Sequence, residues 1–75
     1  MNVEVAYALE NQQFLKTVDV AWGATALDVV RESGVADAFD LVLEALELGV
    51  FSRKVAHDYR VEQGDRVEVY RALTV

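Results

Sequence analysis

The chain has no cysteine, no proline and a single histidine among its 75 residues. Without cysteine there is no disulfide framework, thiolate metal site or thiol nucleophile, and a reducing cytoplasm is a compatible compartment. The lone His57 leaves no second imidazole for a histidine metal pair. No apolar run approaches the roughly 20 residues of a membrane span, and no basic segment leads into an apolar one at the N-terminus. Neither a membrane span nor a signal peptide is expected. Basic residues are also few, 7 Lys and Arg against 13 Asp and Glu, for a net charge of -6. That sign repels nucleic-acid phosphates and anionic lipid alike and favours a positively charged protein partner.

Apolar residues make up 53% of the chain, enough for a packed core. The length allows one domain, residues 1–75, near the lower limit at which a single core carries folding alone. The last third organises the reading. Arg66 to Leu73 alternates Val67, Val69 and Ala72 as a strand, after a bend at Gln63-Gly64-Asp65 where glycine admits a positive φ. Such a strand needs neighbours on both sides, and the other clear strands lie at the N-terminus. Asn2 to Leu9 alternates Val3, Val5, Tyr7 and Leu9 against polar or small residues. A polar break, Glu10 to Gln13, separates it from Phe14 to Val20, whose inward positions are Phe14, Lys16, Val18 and Val20. Lys16 is the blemish on that face: it either snorkels outward or marks a bulge.

Gly23 turns the chain, and Thr25 followed by Asp28 forms a capping-box-like start to a helix. Leu27 and Val30, with Ala26 and Val29, make its apolar face, and Ser33-Gly34 is its stop. Val35, Phe39, Val42 or Leu43, and Leu46 predict one or two short helical turns. Val50-Phe51 is then a strand, Ser52-Arg53 a turn, Lys54 to Ala56 a short strand, and His57 to Val61 a link with Tyr59 and Val61 turned inward. A hairpin, a covering helix and further strands, with the last strand parallel to the first, make an α+β β-grasp with a mixed sheet of four to five strands under one main helix.

The segments VEVAYAL at 3–9, VDVAWGATA at 18–26, ESG at 32–34, GVFSRKV at 49–55 and QGDRVEVYRAL at 63–73 together resemble the RnfH family of bacterial ubiquitin-like proteins. That family commonly has Pro where Ala21 and Ala72 stand, often has Gly at Ser52, and usually continues past Leu73 into a basic tail. The resemblance implies a β-grasp fold and a protein partner: either an Rnf electron-transport component or a START-like toxin called RatA. Beside the toxin the relative is named RatB and proposed as an antitoxin.

Catalysis finds little support in the residues. His57-Asp58 could form a base with its orienting carboxylate, but adjacent residues in a link diverge, and ordinary surface polarity is the expected reading. Asp37, Asp40, Glu44 and Glu47 lack the glycine and ligand order of a calcium loop and read as a solvated helix face. A ubiquitin-like carrier activated at its C-terminus needs Gly-Gly where this sequence has Ala72-Leu73-Thr74-Val75, so that role is the disfavoured alternative. No enzyme activity, cofactor or metal is expected. A structural subunit of a membrane-associated complex is a third reading.

Binding is the stronger expectation. By strand parity Glu4, Ala6, Glu68 and Tyr70 face away from the helix and lie side by side if the first and last strands pair, with Arg66 and Arg53 flanking them. An exposed tyrosine rimmed by charge has the composition of an interface hot spot. Trp22 and Phe39 would add an apolar patch at one end if they escape the core.

Overall fold

The computed structural model describes residues 1–9 and 11–70. The strands are β1 (Asn2–Ala8), β2 (Gln13–Asp19), β3 (Glu47–Val50), β4 (Arg53–Val55) and β5 (Arg66–Tyr70). Helix α1 spans Ala26–Ser33, a single-turn helix α2 spans Val35–Ala38, and Leu43–Ala45 is a 3-10 turn. Positions 71 to 73 of the expected last strand, Ala72 included, lie outside the described residues, as does Glu10 in the polar break.

The strands form one mixed sheet in the order β2-β1-β5-β3-β4. β5 is central, parallel to β1 on one side and antiparallel to β3 on the other. The reason lies in its alternation: Val67 is fully buried and Val69 5% exposed, so the strand must sit where both edges are paired and one face is covered. This is the β-grasp expected from the order of elements. Val3, Val5, Leu48 and Val67 are closed off by Ala26, Val29 and Val30 of α1, all at 1% exposure or less.

Helix α1 begins with the predicted capping box. Thr25 Oγ1 accepts from Asp28 N at 3.1 Å, and an Asp28 carboxylate oxygen accepts from Thr25 N at 3.1 Å. Gly34 closes the helix at φ 78°, a left-handed conformation that glycine adopts without Cβ strain. The buried face is Ala26, Val29, Val30 and Ser33, so Leu27, expected at its centre, is only half-buried at its flank. Ser33 earns its place among apolar neighbours by donating to Val30 O at 2.6 Å and accepting from Val35 N at 3.2 Å.

One expectation needs correction, and two points left open are decided. β1 and β2 pair without interruption from Asn2↔Asp19 to Ala8↔Gln13, so Lys16 marks no bulge, and its amine reaches Ser33 O at 3.4 Å. The hairpin of β3 and β4 is displaced by one residue: Val50 pairs with Arg53, so Phe51-Ser52 is the turn and Phe51 is no part of the strand. The cause is the Leu46-Glu47-Leu48 run. Leu48 is fully buried, which places Val50 on the same covered face and ends the strand before Phe51. Finally, Trp22 is 76% exposed, because it stands in the turn that carries the chain from β2 to α1.

Candidate protein-binding face

The sheet has one face under α1 and one face free of helix. Residues paired across strands share a face, so the register fixes what the free face displays. Glu4 lies between Thr17 on β2 and Arg66 on β5, and Ala6 lies between Leu15 and Glu68. Glu68 in turn stands opposite Gly49, which stands opposite Lys54. The predicted residues Glu4, Ala6, Arg66, Glu68 and Tyr70 are therefore brought together. Arg53 is not: it pairs with Val50, whose parity belongs to the covered side, a consequence of the one-residue displacement of the hairpin. Lys54 takes the place expected of Arg53.

The charged groups on this face are held by partners. Arg66 Nε donates to Glu4 Oε1 at 3.1 Å, and Lys54 Nζ donates to Glu47 Oε1 at 3.0 Å. Both pairs are solvent-exposed and worth at most about 1 kcal/mol each, so their role is orientation more than stability. Tyr70 is half-buried and the hydroxyl end of its ring lies over Gly49: a Cβ built there would overlap it. The Tyr70 hydroxyl donates to Glu68 Oε1 at 3.0 Å, and the same oxygen accepts from Ser52 N at 2.7 Å. Burial, then the hydrogen bond and negative charge of Glu68, push the Tyr70 phenol above its ordinary range. It stays a neutral donor at any physiological pH.

Leu15 is the residue that sequence reasoning passed over. It is 53% exposed and sits beside Ala6 on the free face. Its signal was present: with Phe14, Lys16 and Val18 facing inward, an outward leucine between them has no core to enter. Trp22 and Phe39 do not form the apolar patch considered for them. Phe39 packs edge-to-face on Tyr7 and Phe14, with ring centroids 5.4 and 5.9 Å apart, at the end of the β1-β2 pair where β2 begins. Trp22 follows the other end of β2.

His57 and Asp58 do not act as a pair. His57 Nε2 donates a hydrogen bond to Leu46 O at 2.6 Å, and Asp58 is an exposed turn residue. Among the described residues, no group of three or more His, Asp or Glu side chains is placed to hold a metal ion. No helix of the described residues is long and apolar enough to cross a membrane.

The arrangement of two N-terminal strands, a covering helix and a central closing strand is the one seen in ubiquitin-like proteins. The family model described as RnfH family Ubiquitin matches residues 1–75. The chain belongs to the RnfH family. A Shewanella oneidensis protein described as "UPF0125 protein" is 46% identical over 72 residues, covering 95% of this chain and 65% of the relative. Protein RnfH of Yersinia pestis is 40% identical over 74 residues, covering 97% of this chain and 79% of that protein. The chain thus spans 65% and 79% of the lengths of these two RnfH relatives. Among solved structures, SAMP1 from Haloferax volcanii superposes with a TM-score of 0.73 at 14% identity, covering 100% of this chain and 99% of that one. The ubiquitin-like domain of an Arabidopsis thaliana protein gives a TM-score of 0.62 at 15% identity, covering 97% and 80%. At those identities the likeness concerns the fold alone, and the RnfH assignment rests on the family match.

Proposed function

We propose that this RnfH-family chain is a cytoplasmic, non-catalytic protein-binding module that engages its partner through the free sheet face. The observation that carries the reading is the parallel β1-β5 register. It sets Ala6 beside Glu68 and Glu4 beside Arg66, and Tyr70 follows two residues after Glu68 on the same face. The result is Ala6 at the middle of the face with an aromatic ring and paired charges around it. Side chains already held by partners lose less freedom on binding, which favours association. A ubiquitin-like fold suits a binding module or a modifier. The family resemblance points to a RatA-type START-like protein or an Rnf electron-transport component as the partner.

The test uses purified RatA-type and Rnf proteins from a genome that encodes this chain. Nuclear magnetic resonance titration should shift the amides of Glu4, Ala6, Leu15, Glu68 and Tyr70. Ala6→Arg, which adds bulk on the exposed face and removes no core contact, should leave the circular dichroism spectrum unchanged and weaken binding at least about ten-fold, as expected of a central interface position. Shifts confined to α1, or full affinity in the Ala6→Arg variant, would reject the face. Activation at the C-terminus is the alternative. Because the relatives extend beyond the matched region, reading the natural gene to its stop codon separates the two: a terminal Gly-Gly supports a carrier.

A further inference from the structure

β2 is an outer strand of seven residues, whereas the other outer strand, β4, has three. Among the described residues, β2 makes no backbone hydrogen bond outside its ladder with β1, so one edge of the strand is open. Such an edge is a template for a further strand, and proteins guard it with charge or with a bulge. Here there is no bulge. There is Lys16, the central residue of β2, paired with the fully buried Val5 and therefore on the covered side of the sheet. Lys16 is itself exposed, and its amine reaches Ser33 O at 3.4 Å, at the C-terminal end of α1.

The position of this lysine decides what can pair with the edge. A second copy adding antiparallel about a two-fold axis centred on β2 would set Phe14 opposite Val18, Leu15 opposite Thr17 and Gln13 opposite Asp19. Those pairs are compatible or favourable. The exception falls on the axis itself, where Lys16 would meet Lys16 of the second copy, and like charges directly opposite each other are destabilising.

We infer that the open edge of β2 is a strand-addition site for an extended segment of a partner protein that carries a carboxylate opposite Lys16, and that the same lysine disfavours a second copy of this chain in the register centred on it. The backbone of β2 supplies the hydrogen bonds and Lys16 supplies the selectivity. A carboxylate is a better acceptor for the amine than the long contact to Ser33 O, because both groups are charged. This surface is the edge of the sheet and not its free face; Leu15 borders both, so the Ala6→Arg variant and the Lys16→Glu probe, not the Leu15 amide, separate the two readings.

The Lys16→Glu chain serves as the probe, since its own β2 offers a carboxylate at the matching position. Wild-type protein and the Lys16→Glu chain should each remain monomeric in sedimentation velocity. An equimolar mixture should give a species of twice the 8.4 kDa monomer mass, and its isotope-labelled component should show β2 amides newly protected from hydrogen exchange. A wild-type dimer through β2, or a mixture that stays monomeric, overturns the proposal. Should the Lys16→Glu chain fail to fold, two synthetic peptides of residues 13–19 replace it, one with lysine and one with glutamate at the position of Lys16. Titrated into labelled wild-type protein, the glutamate peptide should shift β2 amides and bind about five- to ten-fold tighter than the lysine peptide, the difference between an attractive and a repulsive cross-strand pair. Equal binding of the two, or shifts located away from β2, also overturns it.

Discussion

Gly49 shows how one missing atom shapes the candidate interface. Its value here is close approach: the Tyr70 ring occupies the space of a Cβ, and the hydroxyl then reaches Glu68. Gly49→Ala should therefore cost about 1–3 kcal/mol, in the range of an overpacked contact. In a Tyr70→Ala background the same change should cost far less, so the double-mutant cycle in urea denaturation should show a coupling above about 0.5 kcal/mol. Additive losses would mean that the ring does not rest on Gly49. Asp28 gives a second prediction at this scale. Its hydrogen bonds with Thr25, the backbone bond first, and its contact with Arg31 at 2.8 Å lower its pKa below the ordinary carboxylate range. The folded chain therefore binds this proton less readily than the unfolded chain. The contribution is present above the unfolded value and disappears as pH falls through the lowered folded value. Asp28→Asn should be less stable than wild type by about 0.5–1 kcal/mol at pH 7, the size of a charge at a helix N-terminus. The difference should shrink as denaturation is repeated at successively lower pH, and a difference that does not shrink would show that the Asp28 charge is not its source.

Among the elements, the β3-β4 hairpin combines a favoured geometry with unfavourable residues. Phe51 and Ser52 have φ of 48° and 70°, both positive, as a two-residue turn between right-twisted strands demands. Asparagine and glycine adopt these angles readily, whereas a phenylalanine there is strained. Glu68 offsets part of that cost by accepting from Ser52 N, which ties the turn to the centre of the free face. Replacing Phe51-Ser52 with Asn-Gly should raise stability by about 1 kcal/mol with an unchanged denaturant slope, because the strain is relieved without altering the area buried. A lowered midpoint would show that the exposed Phe51 ring contributes more to folding than its backbone costs. The same hairpin marks where the sequence was misread. The pattern predicted a strand-turn-strand unit correctly and erred by one residue, since turn residues that defy propensity leave no local signal and only the pairing of Leu48 with Val55 and Val69 sets the register.

For the molecule as a whole, stability is concentrated in a thin core between one helix and one sheet. Leu48 is fully buried at the meeting point of β3, β4 and β5. Leu48→Ala should cost about 3 kcal/mol, a large share of what so small a domain has, visible as a lower urea midpoint. A loss under about 1 kcal/mol would mean that the sheet collapses to refill the cavity. Much of this architecture was legible beforehand because it depends on periodicity: alternation located β1 and β5, and the Thr25-Asp28 box located α1, each a local property of neighbouring residues. The candidate face was half legible for the same reason, as parity assigns a side to Glu4, Ala6, Glu68 and Tyr70 without assigning them a neighbour. Composition and spacing by themselves determined the fold class and the side of the sheet on which most of these residues stand. Only the folded chain decided that Arg53 belongs to the other side, that Tyr70 lies over Gly49 and that the Lys16 amine reaches Ser33 O at the end of α1. Each of those depends on register and on contacts between residues far apart in sequence, and no local pattern encodes the energy of a contact that exists only after the strands have paired.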